Sequence, residues 1–466
     1  MNGSAHLSAV EVREKIGHPI VDGDGHVVET PMVLLDYVKQ VAGTDVAARY
    51  EKMGRWAGKR NYKEIFWGMP SGPNTLDRAT AMLPRLYAER LDEAGIDFGI
   101  VYSTAVLPLM HQRNDELRCA GHRALNTMLA DMFREVSHKL TPSAGIPMNT
   151  PEEAIEELDH AVNELGFKAA TFCSEIRLPP PEVTEIAPEL EDYVLDIYPV
   201  AMDSLHDYDK VWQRCVELKI PVASHTAARG TIGYRSSPSS YVFNHLGGFA
   251  SAGNYFCRCL FLGGVTRRFP ELNFAFLEGG VGWASQLYND LIEHWEKRNA
   301  EFMRENLDPS KLDVDLLGEM AEKYGAGLLT PEKVQAQRQG SRMGGVVDID
   351  EIDEFKACEI TSVEDIADLF ATPFYFGCEA DDRLNAVAFD KRLNHFDVEL
   401  NAMFGSDIGH WDVPDMTNCV PEAYEMVERG LMTEDNFKDF MLTNPVGFFT
   451  KQNPGFFKGT VLEGQV

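Results

Sequence analysis

The chain is short of basic residues and has no long apolar run. Lys and Arg number 43 against 73 Asp and Glu, which gives a formal net charge of −30. Nucleic-acid phosphates need a basic surface, so the charge balance argues against a nucleic-acid partner. It argues equally against binding to an anionic membrane surface. No segment approaches the roughly 18 consecutive apolar residues of a transmembrane helix, and no secretory signal is evident at the N-terminus. We therefore expect a cytoplasmic protein.

Paired cysteines and nucleotide-binding glycine motifs are also missing. The eight cysteines are scattered and form no C-x-x-C pair. Cys257 and Cys259 lie in an apolar stretch that predicts a buried helix rather than a zinc knuckle. Reduced thiols are therefore expected. Neither a P-loop nor a convincing G-x-G-x-x-G motif is present, so no nucleotide cofactor is expected.

What the chain does contain is an alternation of short apolar runs and amphipathic stretches. Eight candidate strands are separated mostly by helical patterns, which predicts a parallel (β/α)8 TIM-like barrel. The candidate strands are His18–Val27, Phe98–Thr104, Leu140–Pro147, Phe167–Cys173, Ile220–His225, Asn273–Gly279, Phe374–Glu379 and Asn401–Asp407. The candidate helices are Pro84–Ala94, Asp115–His138, Pro151–Leu165, Tyr208–Leu218, Ala252–Arg268, Val281–Asn306, Asp382–Arg392, Glu422–Arg429 and Thr433–Met441.

Two long segments exceed a minimal barrel. They span about 30–83 after strand one and about 307–364 after strand six. Loops after barrel strands lie at the active-site end, so these insertions are either lids and substrate walls or surfaces for a neighbouring subunit. We expect one domain, 1–466, in a homo-oligomer, with a dimer as the first expectation.

The first strand carries the most informative motif, Asp22-Gly-Asp24-Gly-His26. Alternate residues of a strand share a face, so the three ionisable side chains are expected to converge. A carboxylate and an imidazole two residues apart can chelate one divalent cation if distant residues complete the shell. A turn with hydrogen-bonded polar groups is the other interpretation.

Three later strands also end in ionisable residues: His225, Glu278 and Asp407. Taken singly, these residues are commonly a structural histidine, a surface carboxylate and a helix N-cap. Together they match the active-site end of a parallel barrel, where loops after the strands build the site. We therefore predict a divalent-metal site at this end of the barrel.

These motifs resemble the amidohydrolase-related family that includes aminocarboxymuconate-semialdehyde decarboxylase, within the amidohydrolase superfamily. The resemblance rests on 22–29, Ser224-His225, 268–283 and 404–411. It implies a metal-dependent barrel enzyme, commonly with zinc and sometimes with manganese or iron. The family's first-strand H-x-H corresponds to Asp24-x-His26 here, its fifth-strand histidine to His225 and its eighth-strand aspartate to Asp407. The resemblance therefore implies one divalent ion held by Asp24, His26, His225 and Asp407. Where decarboxylase-like members have a histidine after strand six, this chain has Glu278.

Reaction class follows from the expected ion. We favour a hydrolase in which a metal-activated water attacks a small cyclic or aromatic substrate, because the strand-six histidine is absent. Asp407 and Glu278 are the candidate catalytic carboxylates. Glu278 is either an acid or base with a pKa raised by burial or a supporting group. A non-oxidative decarboxylase is the alternative, and a non-catalytic ligand-binding or assembly scaffold is the second.

Substrate-binding candidates lie in the loops after strands five and eight. Arg229 and Arg235 offer planar guanidinium forks for a carboxylate, although ordinary surface charge is the other interpretation. His245, which has Tyr241 and Phe249 nearby in sequence, suits an aromatic or cyclic substrate. His410 is either a substrate contact or a solvated loop histidine.

Overall fold

A computed structural model describes residues 7–56, 68–191, 194–226, 237, 239–340 and 353–466. Eight parallel strands form one sheet in the order β1, β2, β3, β4, β7, β8, β9, β10. The bounds of the ten strands are β1 Val21–Val27, β2 Phe98–Ser103, β3 Leu140–Gly145, β4 Ala169–Phe172, β5 Glu175–Leu178, β6 Asp196–Pro199, β7 Val222–Ser224, β8 Phe274–Phe276, β9 Phe374–Cys378 and β10 Asn401–Phe404.

The ring closes between its first strand and the segment after its last. Asp407 N–H donates to the Asp24 carbonyl at 2.9 Å, and His26 N–H donates to the Ile408 carbonyl at 3.0 Å. Each of the eight predicted strands matches one strand of this sheet, and the (β/α)8 barrel is confirmed. The antiparallel pair β5 and β6 was not predicted.

Helices surround the sheet, and several predicted helices are shorter or divided. Their bounds are α1 Ala9–Ile16, α2 Pro31–Trp56, α3 Thr75–Met82, α4 Pro84–Arg90, α5 Val106–Met110, α6 Asp115–Phe133, α7 Pro151–Asp159, α8 Pro181–Ile186, α9 Asp209–Leu218, α10 Tyr241–His245, α11 Gly248–Leu262, α12 Val265–Arg268, α13 Gly282–Arg298, α14 Ala300–Asn306, α15 Val314–Tyr324, α16 Pro331–Gly340, α17 Glu364–Ala371, α18 Cys419–Glu428, α19 Glu434–Lys438 and α20 Asn444–Thr450.

Two single-helix predictions were wrong because local breakers end the helix. Gly264 adopts a left-handed backbone, φ 68°, which separates α11 from α12 within the predicted Ala252–Arg268 helix. Asn299 leaves the helical region and caps α14 with its side chain, which divides the predicted Val281–Asn306 helix. The predicted Asp382–Arg392 helix is a 3₁₀ stretch, Arg383–Phe389.

The amino-terminal end of the barrel is sealed by apolar residues from the C-terminal segment. Barrel-interior side chains such as Phe98 and Tyr375 pack with this segment. Its fully buried members include Phe448 and Phe456, and Phe456 stacks on Phe449 with ring centroids 4.4 Å apart. The barrel interior at this end is therefore closed by an apolar core.

The insertions are largely helical where the structure describes them. Helices α2 and α3 lie in the first insertion, and α2 packs against α6. In the second, α15 and α16 pack on each other around Val314, Ala321 and Val334. The single-domain boundary and the dimer stay predictions. Among the described helices, none has the length and apolar character needed to cross a membrane.

The cysteines match their prediction in the described chain. All eight are free, and seven of them are buried. Cys257 and Cys259 lie inside the apolar helix α11, as expected. Burial raises the pKa of the Cys257 thiol well above its usual range. These thiols therefore act as small core side chains.

Candidate active site at the carboxyl end of the barrel

The ends of four barrel strands bring five ionisable side chains together. Asp24 and His26 lie on β1, His225 follows β7, Glu278 follows β8 and Asp407 follows β10. Each of the five is at least 97% buried, measured on the side chain for Glu278 and on the whole residue for the others. Few isolated charged groups are buried to this extent. Because parallel strands deliver their carboxyl ends to one edge, residues distant in sequence meet here.

Close backbone packing at this end requires glycine. A Cβ on Gly405 would lie 2.7 Å from Asp24 Cβ, and one on Gly25 would lie 2.5 Å from the Tyr87 hydroxyl. Real side chains do not approach so closely, so these two positions exclude a larger residue. The glycines let the ends of β1 and β10 pack together and place Asp24 beside the loop that carries Asp407.

The expected convergence of Asp22 with Asp24 and His26 was wrong. The pairing of β1 with β2 shifts register between Asp22 and Gly25, which breaks the simple alternation of faces. Asp22 instead accepts hydrogen bonds from Ser406 Oγ at 2.6 Å and from Ser406 N–H at 2.9 Å. Asp22 therefore anchors the segment before Asp407 and is not one of the converging donors.

Three of the four predicted ligands have atom spacings that suit one cation, and the fourth, Asp407, contacts one of them. Asp24 Oδ1 lies 3.6 Å from His26 Nε2 and 3.5 Å from His225 Nε2, and His26 Nε2 lies 3.0 Å from Asp407 Oδ1. Two ligand atoms that are each about 2.1 Å from one ion, in tetrahedral geometry, lie about 3.4 Å apart. Asp24, His26 and His225 place one donor atom each within 4.8 Å of one another, and Asp407 does so in an overlapping group with His26, Glu278 and His410. The first three side chains therefore have the spacing of a divalent-ion shell, and Asp407 adjoins it through His26.

Unsatisfied polar atoms support the same interpretation. Asp24 Oδ1 and His225 Nε2 are buried and have no hydrogen-bond partner within the described part of the chain. Leaving a buried polar atom unpaired costs about 1–3 kcal/mol, more for a charged group. Burial lowers the pKa of His26 to about 4 and that of His225 well below its usual value, so both rings are neutral and able to donate a lone pair.

Glu278 lies beside this group in a strained backbone conformation. Its φ is 56°, in the left-handed region that non-glycine residues rarely adopt. Its Oε2 lies 3.3 Å from His225 Nε2, and its Oε1 lies 3.4 Å from His245 Nε2. Burial, together with the negative charges of Asp407 and Asp24, raises the pKa of Glu278 well above its usual value. The carboxyl group is therefore poised to carry a proton when no cation is present.

His410 is engaged with the site rather than with solvent. Its Nδ1 lies 2.7 Å from Asp407 Oδ1, its Nε2 lies 3.2 Å from Thr104 Oγ1, and its ring stacks on that of His26 at 3.9 Å. Burial opposes ionisation of His410, but the Asp407 carboxylate outweighs it and raises the His410 pKa. For Asp407, burial is outweighed by His410 and His26, which hold its pKa well below the usual range.

An aromatic wall borders Glu278 and His225. The His245 ring packs edge-on against Trp411 and Phe249, with ring centroids 5.5 Å and 5.8 Å away. The centroid of the Tyr241 ring lies 5.4 Å from that of His245. The Phe249 ring also packs edge-on against His225, with ring centroids 5.1 Å apart. The sequence predicted Tyr241, Phe249 and His245 near a substrate. Trp411 was not predicted, and the structure adds it to this wall.

Two carboxylates of this end were missed from sequence. Burial raises the pKa of both Glu379 and Asp412 to about 8. The negative charge of Asp407 is the next largest cause in each case. Glu379 has a signal that could have found it, since it ends the predicted Phe374–Glu379 strand. Asp412 has none, because only the folding of its loop brings it to the site. Arg229 and Arg235 lie outside the described residues.

The sequence profile of the amidohydrolase family matches residues 69–310, more than half of the 466-residue chain. The chain belongs to the amidohydrolase family. The predicted resemblance, and with it an enzyme of the amidohydrolase superfamily, is confirmed. Reaction class and substrate are finer questions than this match addresses.

The chain is also similar to solved structures at low sequence identity. An amidohydrolase from Mycobacterium avium subsp. paratuberculosis K-10 is 16% identical, with a TM-score of 0.51 over 93% of this chain and 99% of that one. A dihydroxybenzoic acid decarboxylase from Polaromonas sp. JS666, solved with manganese and 2-nitroresorcinol, is 14% identical, with a TM-score of 0.47 over 93% and 97%. The 5-carboxyvanillate decarboxylase from Sphingomonas paucimobilis is 12% identical, with a TM-score of 0.46 over 92% and 98%.

Proposed function

We propose that the protein is a metal-dependent hydrolase of small cyclic or aromatic substrates, with one divalent ion held by Asp24, His26, His225 and Asp407. The observation that carries the proposal is the buried group of Asp24, His26 and His225, whose donor atoms lie within 4.8 Å of one another, with Asp407 Oδ1 3.0 Å from His26 Nε2. Unpaired buried atoms in the same group add support.

The donor set has two imidazoles and two carboxylates, which suits zinc first and also manganese or iron. A divalent ion bound by these residues supplies a Lewis acid that polarises a substrate oxygen and acidifies a water molecule. His410 fixes the Asp407 carboxylate through the 2.7 Å contact to its Oδ1. The protein therefore orients one ligand by a neighbouring imidazole, as metal centres commonly do.

Glu278 is the proposed proton carrier. Its carboxyl group reaches from His225 on one side to His245 on the other, and burial raises its pKa well above the usual value, which favours a carboxyl group that carries a proton. As a base, it takes a proton from the attacking water, and as an acid it returns that proton to the leaving group. His245 can hold or pass on this proton.

The aromatic wall indicates the substrate class. Tyr241, Phe249 and Trp411 present ring faces and edges beside the reacting groups, which favours a flat cyclic or aromatic partner. Arg229 and Arg235 remain proposed carboxylate contacts. His410, with its Nε2 near Thr104, remains a proposed substrate neighbour.

Non-oxidative decarboxylation is the second candidate. A Glu278 carboxyl that stays protonated can deliver a proton to the substrate carbon that loses carbon dioxide, and its raised pKa favours that role. A scaffold without catalysis is the remaining alternative, which a bound ion and turnover together would exclude.

Turnover in ¹⁸O-labelled water distinguishes the two reactions. A panel of aryl esters, lactones, cyclic diketones and aromatic carboxylic acids is offered to the metal-loaded enzyme. Hydrolysis places ¹⁸O in the organic product. Release of carbon dioxide without label in the organic product would overturn the hydrolase proposal in favour of the carboxy-lyase.

A further inference from the structure

A cavity of about 520 Å³ lies at the amino-terminal end of the barrel, beside the C-terminal segment that closes it. Its walls come from the end of α6, the start of β3, the segment before β4 and the C-terminal segment. Ligand pockets in proteins have volumes of about 300–1,000 Å³, so the cavity has room for a small molecule. Because β3 and β4 begin here, the cavity lies at the opposite end of the barrel from the proposed ion site.

The walls of this cavity carry more positive than negative charge. Arg134, Lys168 and Lys458 line it, and Glu164 is the one acidic residue among the described lining residues. Arg134 pairs with Asp131, and Glu164 Oε2 lies 3.0 Å from an imidazole nitrogen one turn before it. Within the described ranges, neither lysine has a carboxylate oxygen within 4.0 Å. In a chain with 43 basic and 73 acidic residues, two neighbouring lysines without an acidic partner indicate a place for an external anion.

Lys168 is held in position by the C-terminal segment. Its Nζ donates to the Phe456 carbonyl at 2.8 Å and to the Lys458 carbonyl at 3.3 Å. An ammonium group has three N–H donors, so one remains for a further acceptor. Burial lowers the pKa of Lys168, and the negative charge of Glu463 acts in the opposite direction. Lys168 is therefore a partly desolvated cation that is positioned by neutral carbonyl groups and has no direct anionic contact.

The rest of the lining is largely apolar. Its apolar members include Ala130, Phe133, Leu165 and Phe167. Apolar walls with a few placed cations suit a ligand that has an apolar body and one anionic group. We propose that this cavity binds a small organic carboxylate, whose anionic group accepts hydrogen bonds from Lys168 and Lys458. Such a ligand connects the segment before β4 with the C-terminal segment, so its binding stabilises the closed end of the barrel.

Benzoate is the probe, and benzamide is its uncharged counterpart of similar size. Ion-free protein is titrated with each compound by isothermal titration calorimetry in 0.15 M salt, which screens weak surface attraction. We expect one bound benzoate per chain and a melting temperature that rises with benzoate concentration. Benzamide lacks the charge and inorganic phosphate lacks the apolar body, so both should bind much more weakly.

Variants assign the benzoate to the cavity. Lys168→Gln removes a charge-assisted hydrogen bond and should weaken binding by roughly 10- to 100-fold. Lys458→Gln should weaken it less, because Lys458 is exposed, and it breaks no side-chain hydrogen bond of the described chain. Ala130→Leu keeps both lysines and fills the cavity, so it should abolish binding. Lys210→Gln, at an exposed position on α9, and His225→Ala should bind benzoate as the wild type does.

The other results overturn the proposal. They are no benzoate binding by the wild type, equally tight binding of benzamide or phosphate, and binding that is unchanged in Lys168→Gln or Ala130→Leu. Loss of benzoate binding in His225→Ala would place the ligand at the carboxyl end of the barrel and would also overturn it. The proposed function stands apart from all of these results, since divalent-ion binding is measured separately.

Discussion

The two ends of the barrel bury very different groups. At the amino-terminal end, Phe448, Phe456 and their neighbours fill the opening with apolar side chains. At the carboxyl end, ionisable side chains are equally buried, and several of their polar atoms have no partner in the described structure. Burying one large apolar side chain stabilises the fold by about 1.5–3 kcal/mol, whereas an unpaired polar group costs about 1–3 kcal/mol. The apolar end therefore stabilises the fold, whereas the carboxyl end buries polar groups at a cost in stability, which is consistent with the proposed ion site.

Glu278→Gln gives the largest expected change at the reactive end. The amide keeps the size of the side chain and removes its proton chemistry, so turnover should fall by roughly 10²–10⁴-fold while the divalent ion stays bound. Glu359→Gln is the matched control, because Glu359 also has a positive φ but is exposed. Undiminished turnover in Glu278→Gln would assign Glu278 a structural role.

Phe456→Ala tests the closed end. The ring is fully buried and packs against Phe449 and Phe457, so its loss should lower the free energy of unfolding by about 3–5 kcal/mol. Denaturant unfolding measures this change, and the folded variant should keep its ion. Ile186→Ala, at a position 79% exposed, should change stability by less than about 0.5 kcal/mol. Loss of the ion from folded Phe456→Ala would show that the ends are not independent.

Stability of the ion-free protein should fall as pH rises. Burial raises the pKa of both Glu379 and Asp412 to about 8, above the values of about 4 expected in an unfolded chain. Their protonated forms favour the folded state, so this stabilisation is complete below about pH 4 and is lost as pH rises through about 8. The melting temperature of the ion-free protein should decrease between pH 5 and 9, and Glu379→Gln should flatten the decrease. A melting temperature that rises over this range would contradict the assignment.

The eight strands and the residues that end them were predictable because apolar runs and strand-end polar groups are local signals. Asp24, His26, His225, Glu278 and Asp407 were predicted in this way, and the structure brings their side chains together. Asp22 was misplaced because a register shift in β1 has no clear sequence signature. Asp412 was missed because only the folding of its loop brings it to the site. The break between α11 and α12 was predictable from Gly263-Gly264, but the helical periodicity on either side favoured a single helix.

Metal analysis of protein purified without chelators and then replenished tests the central claim most directly. The account predicts a tightly bound divalent ion in the wild type that is lost or greatly weakened in Asp24→Ala, His26→Ala and His225→Ala. These variants should remain folded, as judged by circular dichroism. A replenished wild type with no bound ion, or variants that bind it as tightly as the wild type does, would contradict the proposed site.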